Sequence, residues 1–210
     1  MKNREQHTIV GPDVAITGLI LAGGASSRMG RNKALEKVGG EMLVERVVAT
    51  LAQVAADILL IANDVDPYRF LDLPVIPDRR PGYGPLMGLY SGLEAARGDL
   101  ALLVAVDMPF LAPDFLNYLL SLSPGYDVVI PQAYDRLHPL CAVYRRATCL
   151  PAITAAIDRG QRRLIAFHAD VRVQVVEEAA LREIDSDLRS LMNVNTPDEL
   201  ARARAIMRQK

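Results

Sequence analysis

An apolar run over residues 16–22 breaks directly into Gly23-Gly24 and then into Ala25-Ser26-Ser27-Arg28-Met29-Gly30-Arg31-Asn32-Lys33. No other stretch constrains the chain as tightly. A short, bounded, nearly continuous apolar run reads as a strand buried on both faces, which belongs to a parallel sheet covered by helices. The glycines after it permit positive φ and let another molecule approach the backbone. Arg28 and Lys33 follow, on either side of Gly30. Free backbone N–H groups beside fixed cations suit anionic oxygens, so the loop reads as a seat for a di- or triphosphate. Two familiar phosphate loops are excluded. Walker A needs Lys and then Ser/Thr directly after its last glycine, and the dinucleotide fingerprint needs its first two glycines spaced by one residue.

The rest of the chain repeats the theme of strand and helix. Further strands are expected at 57–62, 73–78, 100–106, 126–131, 138–144 and 171–176. Helices are expected at 41–55, 86–97, 114–122, 147–159, 164–169 and from Pro197 onward. Thr196 stands as N-cap before Pro197, with Asp198 and Glu199 in the first turn. The alternation predicts a single α/β domain over residues 16–210: a Rossmann-like, mostly parallel β-sheet with helices on both faces. Residues 1–15 read as a flexible N-terminal tail, interrupted by Gly11-Pro12-Asp13.

In such sheets ligands bind beyond the carboxyl ends of the strands. Gly23-Gly24, Asn63, Asp78 and Asp107 each end a predicted strand, so all four should share one rim. Asp107 follows a wholly apolar run, and a carboxylate emerging there is well placed to hold Mg²⁺ together with substrate phosphates. Asp114 is nearer the helix that opens at Pro113, which leaves Asp107 free of capping duty. The formal net charge of −1 and pI near 6.3 argue against a general nucleic-acid binder. No apolar run reaches the ~18 residues of a membrane span, and Met1 to Thr8 is polar, with no signal-peptide core. Cys141 and Cys149 have no metal-ligand partner nearby and read as reduced thiols in a cytoplasmic protein.

Leu21-Ala22-Gly23-Gly24-x-Ser-x-Arg28-Met-Gly-x-x-Lys33 resembles the signature loop of the nucleotidyltransferases that activate small phosphorylated metabolites. Gly84-Pro85-Leu86-x-Gly88 and Asn193-Val194-Asn195-Thr196-Pro197 are similar to segments of one branch, the molybdenum cofactor guanylyltransferases of the MobA type. Val106-Asp107-Met108-Pro109-Phe110-Leu111 is similar to the segment whose aspartate holds magnesium there.

The resemblance implies a nucleotide-diphospho-sugar-transferase-like fold and transfer of GMP from GTP to molybdopterin. Mg²⁺, or Mn²⁺ in its place, would be the cofactor. Leu21, Ala22, Gly23, Gly24, Lys33, Asn63, Asp78 and Asp107 would bind nucleotide, with Asn63 and Asp78 bordering base and ribose. Arg28, Lys33 and Asp107 would be catalytic. Asn193 and Asn195 either complete the metal shell or only shape the turn before the last helix. Implied protein partners are cofactor-insertion proteins and molybdoenzyme chaperones, with no nucleic acid or membrane. The alternatives are cytidylyl transfer, a sugar- or polyol-phosphate nucleotidyltransferase, and a GTP-binding carrier without transfer chemistry. His138 reads as a strand-entry residue. Arg79-Arg80 and Arg145-Arg146 read as charged surface, with reception of an anionic second substrate as the alternative. Asn32 stands where the family often has Asp.

Overall fold

The computed structural model describes residues 14–22 and 32–208. At its centre lies β6 (Leu100–Ala105), six apolar residues buried at every position. On one side β6 pairs in parallel with β1 (Ile16–Leu21), which is followed outward by β4 (Asp57–Ile61) and β5 (Val75–Ile76), all parallel. On the other side stand β9 (Cys141–Arg145), β7 (Val128–Ala133) and β10 (Val173–Val176). β10 runs parallel to β7, whereas β9 runs antiparallel to both neighbours.

That reversal has a local cause. After β7 the chain turns through Tyr134 and Asp135, both at positive φ (53° and 56°), into β8 (Arg136–Leu137). Two positive-φ residues make the tight turn that suits a right-twisted hairpin. Cys141 N–H then donates to His138 C=O at 3.0 Å and starts β9. So short a connection cannot make the crossover that a parallel neighbour needs. The reversal brings residues 134–141 to the same edge as the carboxyl ends of β1, β4 and β6.

Each face of the sheet carries its own core. Ile20, Leu102 and Val104 face α1 (Leu43–Leu51) and α3 (Pro113–Ser121), which bury Val44, Val47, Leu51, Phe115, Leu116, Leu119 and Leu120. Leu19, Ala101 and Leu103 face α2 (Pro85–Ala95) and α4 (Arg146–Asp158). The alternation along β1 and β6 is the two-residue period of a strand covered on both sides.

Three expectations need correction, and one helix was not expected. The helix expected from 41 starts at Leu43, because Gly39 and Gly40 (φ 65° and 92°) close a hairpin between β2 (Lys37–Val38) and β3 (Glu41–Met42). The segment 164–169 is not an α-helix: Leu164 and Phe167 are buried from a run of turns that ends in a 3-10 turn, His168–Asp170. Their three-residue spacing mimics a helical stripe. The strand expected at 126–131 is displaced to 128–133, and Pro131, which has no N–H, lies beyond the last β7–β9 pair, Val129–Val143. A helix not anticipated, α5 (Glu178–Ile184), buries only Leu181. One leucine contributes about 2 kcal/mol and leaves no periodic signature.

Two structural details carry predictions. Asp127, ahead of β7, accepts from the Arg172 backbone N–H (2.9 Å), the Arg172 guanidinium (3.2 Å) and Thr148 Oγ1 (3.0 Å). Its carboxyl is held down to about 2, chiefly by the Arg172 side chain. A folded-state value below the ordinary 3.8 stabilises the protein above pH 4, and that share is lost as pH falls toward 2. Asp127→Asn should therefore melt lower at pH 7, by about 1 kcal/mol after discounting for the solvent around Arg172. The two melting curves should converge on acidification between pH 4 and 2. A constant gap across that range in thermal melts would remove Asp127 as the titrating group.

The second detail concerns the entry to α2. Gly84 has φ 92° and ψ −173°, a region essentially confined to glycine. Pro85 fills the first helical position. A methyl group at Gly88 would collide with Leu21 Cδ1 and lie 3.5 Å from Asp78 Oδ1. Gly88→Ala should thus destabilise the fold by about 1–3 kcal/mol through overpacking. It should also weaken nucleotide binding, because the clash lies between two strand ends. An unchanged melting temperature would show that the Leu21 side chain can give way there.

Among the described residues, no helix is long and apolar enough to cross a membrane.

Candidate active site

The carboxyl ends of β5, β4, β1 and β6 stand side by side in that order. From β1 the chain goes to β4 and β5 on one side and returns to β6 on the other. The crevice between β1 and β6 is therefore a topological switch point, where open α/β sheets bind ligands. Gly23, Gly24 and Arg28 lie outside the described residues. Leu21 and Ala22, just before them, are locked in the sheet: Val106 N–H donates to Leu21 C=O at 3.2 Å, and Ala22 N–H donates to Ile61 C=O at 3.0 Å.

Asp107 and Lys33 meet beside this crevice. Lys33 opens a 3-10 turn, Lys33–Leu35, whose N-cap is Asn32: its side-chain oxygen accepts from Ala34 N–H at 3.1 Å. The same amide faces the buried Tyr68 hydroxyl, donating at 3.2 Å and accepting at 3.3 Å. An amide can do both, which an ionised aspartate cannot; this gives a physical role to the Asn32 departure. Lys33 Nζ lies 3.7 Å from Asp107 Oδ2 and donates to Asn195 Oδ1 at 2.9 Å. The side chains of Lys33 and Asp107 are 19% and 14% exposed. Burial pushes the Asp107 carboxyl above the ordinary carboxylate range, against the opposing pull of Lys33, and the more distant Glu199 adds to the rise. Asp107 Oδ1 is buried and has no hydrogen-bond partner among the described residues.

Asn195 is held by the start of α6 (Pro197–Met207). Thr196 Oγ1 accepts from Glu199 N–H at 3.2 Å. Glu199 Oε2 in turn accepts from Thr196 N–H (2.9 Å) and Asn195 N–H (2.6 Å). This is a capping box that extends one residue backward. Val194 N–H donates to Asp107 C=O at 2.9 Å, joining the segment to the β6 end. α6 itself is tied to the hairpin beyond Lys33, where Arg204 donates to Lys37 C=O (2.8 Å) and Glu36 (3.1 Å). Val38, Leu43, Val194, Leu200 and Ala203 form a small core beneath. The signal for Glu199 was the Thr-x-x-Glu spacing; its contact with Asn195 was not anticipated.

At the other end of the rim, Asn63 Nδ2 donates to Asp78 Oδ2 (3.1 Å), and Asp78 N–H donates to Asn63 Oδ1 (2.8 Å). Asn63 thus spends its amide on orienting Asp78. Three strand spacings of ~4.8 Å put Asp78 roughly 14 Å from Asp107, about the length of a nucleoside triphosphate.

Next to Asp107 opens a cavity of about 650 Å³, in the range for a small-molecule site. Met108, Leu188, Met192 and Asn195 line it, together with Arg136 and Arg202. Asn193 also reaches it. Asp187 and Glu199 are on its wall but are engaged, Asp187 with Arg189 at 2.8 Å and Glu199 in the cap. Arg136 and Arg202 make no ion pair among the described residues, and Arg136 was not singled out from the sequence.

The arginine pairs that were singled out lie elsewhere. Arg145 and Arg146 sit at the opposite edge, where they donate to the carbonyls of Tyr126, Ser123 and Leu93. Arg79 is paired with Glu94 at 2.6 Å. His138 Nε2 lies 3.2 Å from Ala133 C=O, and burial holds its pKa below the ordinary value.

One carboxylate and one amide oxygen do not make a cage for a metal, and no cluster of three or more His, Cys, Asp or Glu occurs among the described residues. The set does fit Mg²⁺, which keeps waters and borrows phosphate oxygens from a substrate. A buried carboxylate oxygen without a donor is the atom such an ion would take.

The family described as "MobA-like NTP transferase domain" matches residues 18–173. A probable molybdenum cofactor guanylyltransferase of Pelotomaculum thermopropionicum is 40% identical over 190 residues, 90% of this chain and 92% of the relative. The molybdenum cofactor guanylyltransferase of Desulfosudis oleivorans is 35% identical over 196 residues, 92% and 96% of the two chains. The crystal structure of molybdopterin-guanine dinucleotide biosynthesis protein A from Archaeoglobus fulgidus superimposes with a TM-score of 0.79 at 27% identity, covering 92% of this chain and all of that one. The matched region spans the sheet from β1 to the first residue of β10, and the relatives cover about nine-tenths of the chain; the chain belongs to the MobA-like NTP transferase family.

Proposed function

We propose that this protein transfers GMP from GTP to the terminal phosphate of molybdopterin, releasing pyrophosphate and forming a guanine dinucleotide cofactor. The observation that carries the reading is the meeting of Lys33, Asp107 and Asn195 at the carboxyl end of β6, with Asn195 also on the wall of the 650 Å³ cavity. The names of the relatives support guanylyl rather than cytidylyl transfer. The transferase domain extends from residue 16 to the end of α6, since Asn195 belongs to the site.

GTP lies along the rim. Its base or ribose meets the Asp78 carboxylate, which Asn63 has already oriented. Its phosphates cross the loop of Gly23, Gly24 and Arg28 and reach Lys33. Asp107, with Asn195, would hold Mg²⁺ or Mn²⁺, which when bound neutralises charge on the attacked phosphate and on the leaving pyrophosphate. Lys33 stabilises the same developing charge from the protein side. The acceptor enters the cavity, where Arg136 and Arg202 attract its phosphate and Met108, Leu188 and Met192 offer an apolar wall to its rings. No covalent enzyme intermediate is needed, because positioning and charge neutralisation carry such a step. GTP as donor suits a cytoplasmic setting.

Pyrophosphate release tests the reading. Release should require GTP, divalent metal and molybdopterin together. Equal release with CTP would remove the guanine assignment, and tight GTP binding with no release under any condition would favour a carrier.

A further inference from the structure

One ammonium stands against both side chains that the proposed metal site takes from the protein. Lys33 Nζ donates to Asn195 Oδ1 at 2.9 Å but stands 3.7 Å from Asp107 Oδ2. A charge-assisted hydrogen bond to a carboxylate would be 2.7–2.9 Å, so Asp107 receives only the field of the lysine. Its other oxygen is buried without a donor among the described residues. The ammonium therefore serves this pair incompletely. Its backbone is fixed by the Asn32 cap, while its four-carbon stem is free to swing.

We infer that Lys33 Nζ and a divalent cation are alternative occupants of the Asp107–Asn195 pair, and that the nucleotide's triphosphate decides between them. The inference rests on the proposed reading of Asp107 as a metal carboxylate. Without nucleotide, the ammonium compensates a carboxylate that is only 14% exposed. A hydrated divalent ion must then displace it in order to bind, which lowers the ion's affinity. A triphosphate offers the ammonium a stronger anion across the crevice. The lysine swings to it, and the Asn195 oxygen and the charge of Asp107 become available at once. Metal and nucleotide then bind cooperatively through one side chain, and by linkage each raises the affinity of the other equally.

Mn²⁺ binding, read from the loss of the free-ion EPR signal at constant ionic strength and without turnover, tests this. In the absence of nucleotide, Lys33→Met should bind Mn²⁺ about tenfold more tightly than the wild type, the factor expected for removing about 1.4 kcal/mol of competition. Lys33→Arg, which keeps the charge, should bind no more tightly than the wild type. Adding a GTP analogue with a methylene α–β bridge should tighten binding to the wild type. A Lys33→Met protein that binds Mn²⁺ no better than the wild type overturns the inference. Lys33→Met/Asp107→Asn separates this from the underlying reading: if the double variant still binds tightly, Asp107 is not the metal carboxylate and both fail. The wild type supplies a second readout that needs no variant. Saturating Mg²⁺ should raise acetylation of Lys33 by acetic anhydride several-fold, scored by mass spectrometry, and unchanged or reduced labelling overturns the inference.

Discussion

Asp107→Asn should give a folded protein that melts no lower than the wild type and turns over on the order of 10³-fold more slowly. The two halves of this expectation have one cause. Burial raises the Asp107 carboxyl above its ordinary value. A raised carboxyl contributes stability only at low pH, and that contribution is lost as pH rises through the folded-state value. At neutral pH the ionised side chain therefore costs stability, and an isosteric amide removes the cost. Activity moves the other way, because the amide brings no charge to a metal or to the phosphates it would bridge. Added Mg²⁺ should not restore the rate. A variant with near-normal turnover and an unchanged Mg²⁺ requirement would make Asp107 a structural residue and move the search for the carboxylate to Asp78.

Lys33→Ala should lose on the order of 10²-fold in rate, with little change in melting temperature. Removing one preorganised donor to developing charge costs roughly 3 kcal/mol in barrier. The folded state loses a hydrogen bond of 2.9 Å to Asn195 and a 3.7 Å ion pair, both partly exposed. Together these contribute about 1 kcal/mol. The loss should fall on kcat more than on KM for GTP, since the ammonium matters most as pyrophosphate leaves. A variant that melts early but keeps normal turnover per folded molecule would show that Lys33 serves only to clip the α6 segment to the turn after β1.

The parts of this site written as contiguous patterns were legible in the sequence. The apolar run ending at Asp107 placed the carboxylate on the carboxyl edge, and Thr196-Pro197-Asp198-Glu199 announced the cap that now positions Asn195. What could not be read were meetings between distant segments. Lys33 and Asn195 are 162 residues apart, and they are joined by the docking of α6 on the Gly39-Gly40 hairpin and of Val194 on the end of β6. Arg136 reaches the cavity because β9 turns back, a reversal set by two positive-φ residues that carry no glycine. Arg145 and Arg146 drew notice as a charged pair, yet the same reversal sends them to the far edge. Asn63 was read as bordering base and ribose beside Asp78, and the two are hydrogen-bonded to each other. That contact depends on how β4 and β5 align, which neither strand's own residues specify.

The central claim is that the α-phosphorus of GTP moves to molybdopterin at the Asp107–Lys33 site. Incubation with GTP labelled at the α-phosphorus, molybdopterin and Mg²⁺, followed by chromatography of the products, tests it most directly. The label should appear in a molybdopterin dinucleotide, in step with pyrophosphate, and Asp107→Asn should form almost none. Label found only in GDP or GMP, or transferred equally well by Asp107→Asn, would contradict the account.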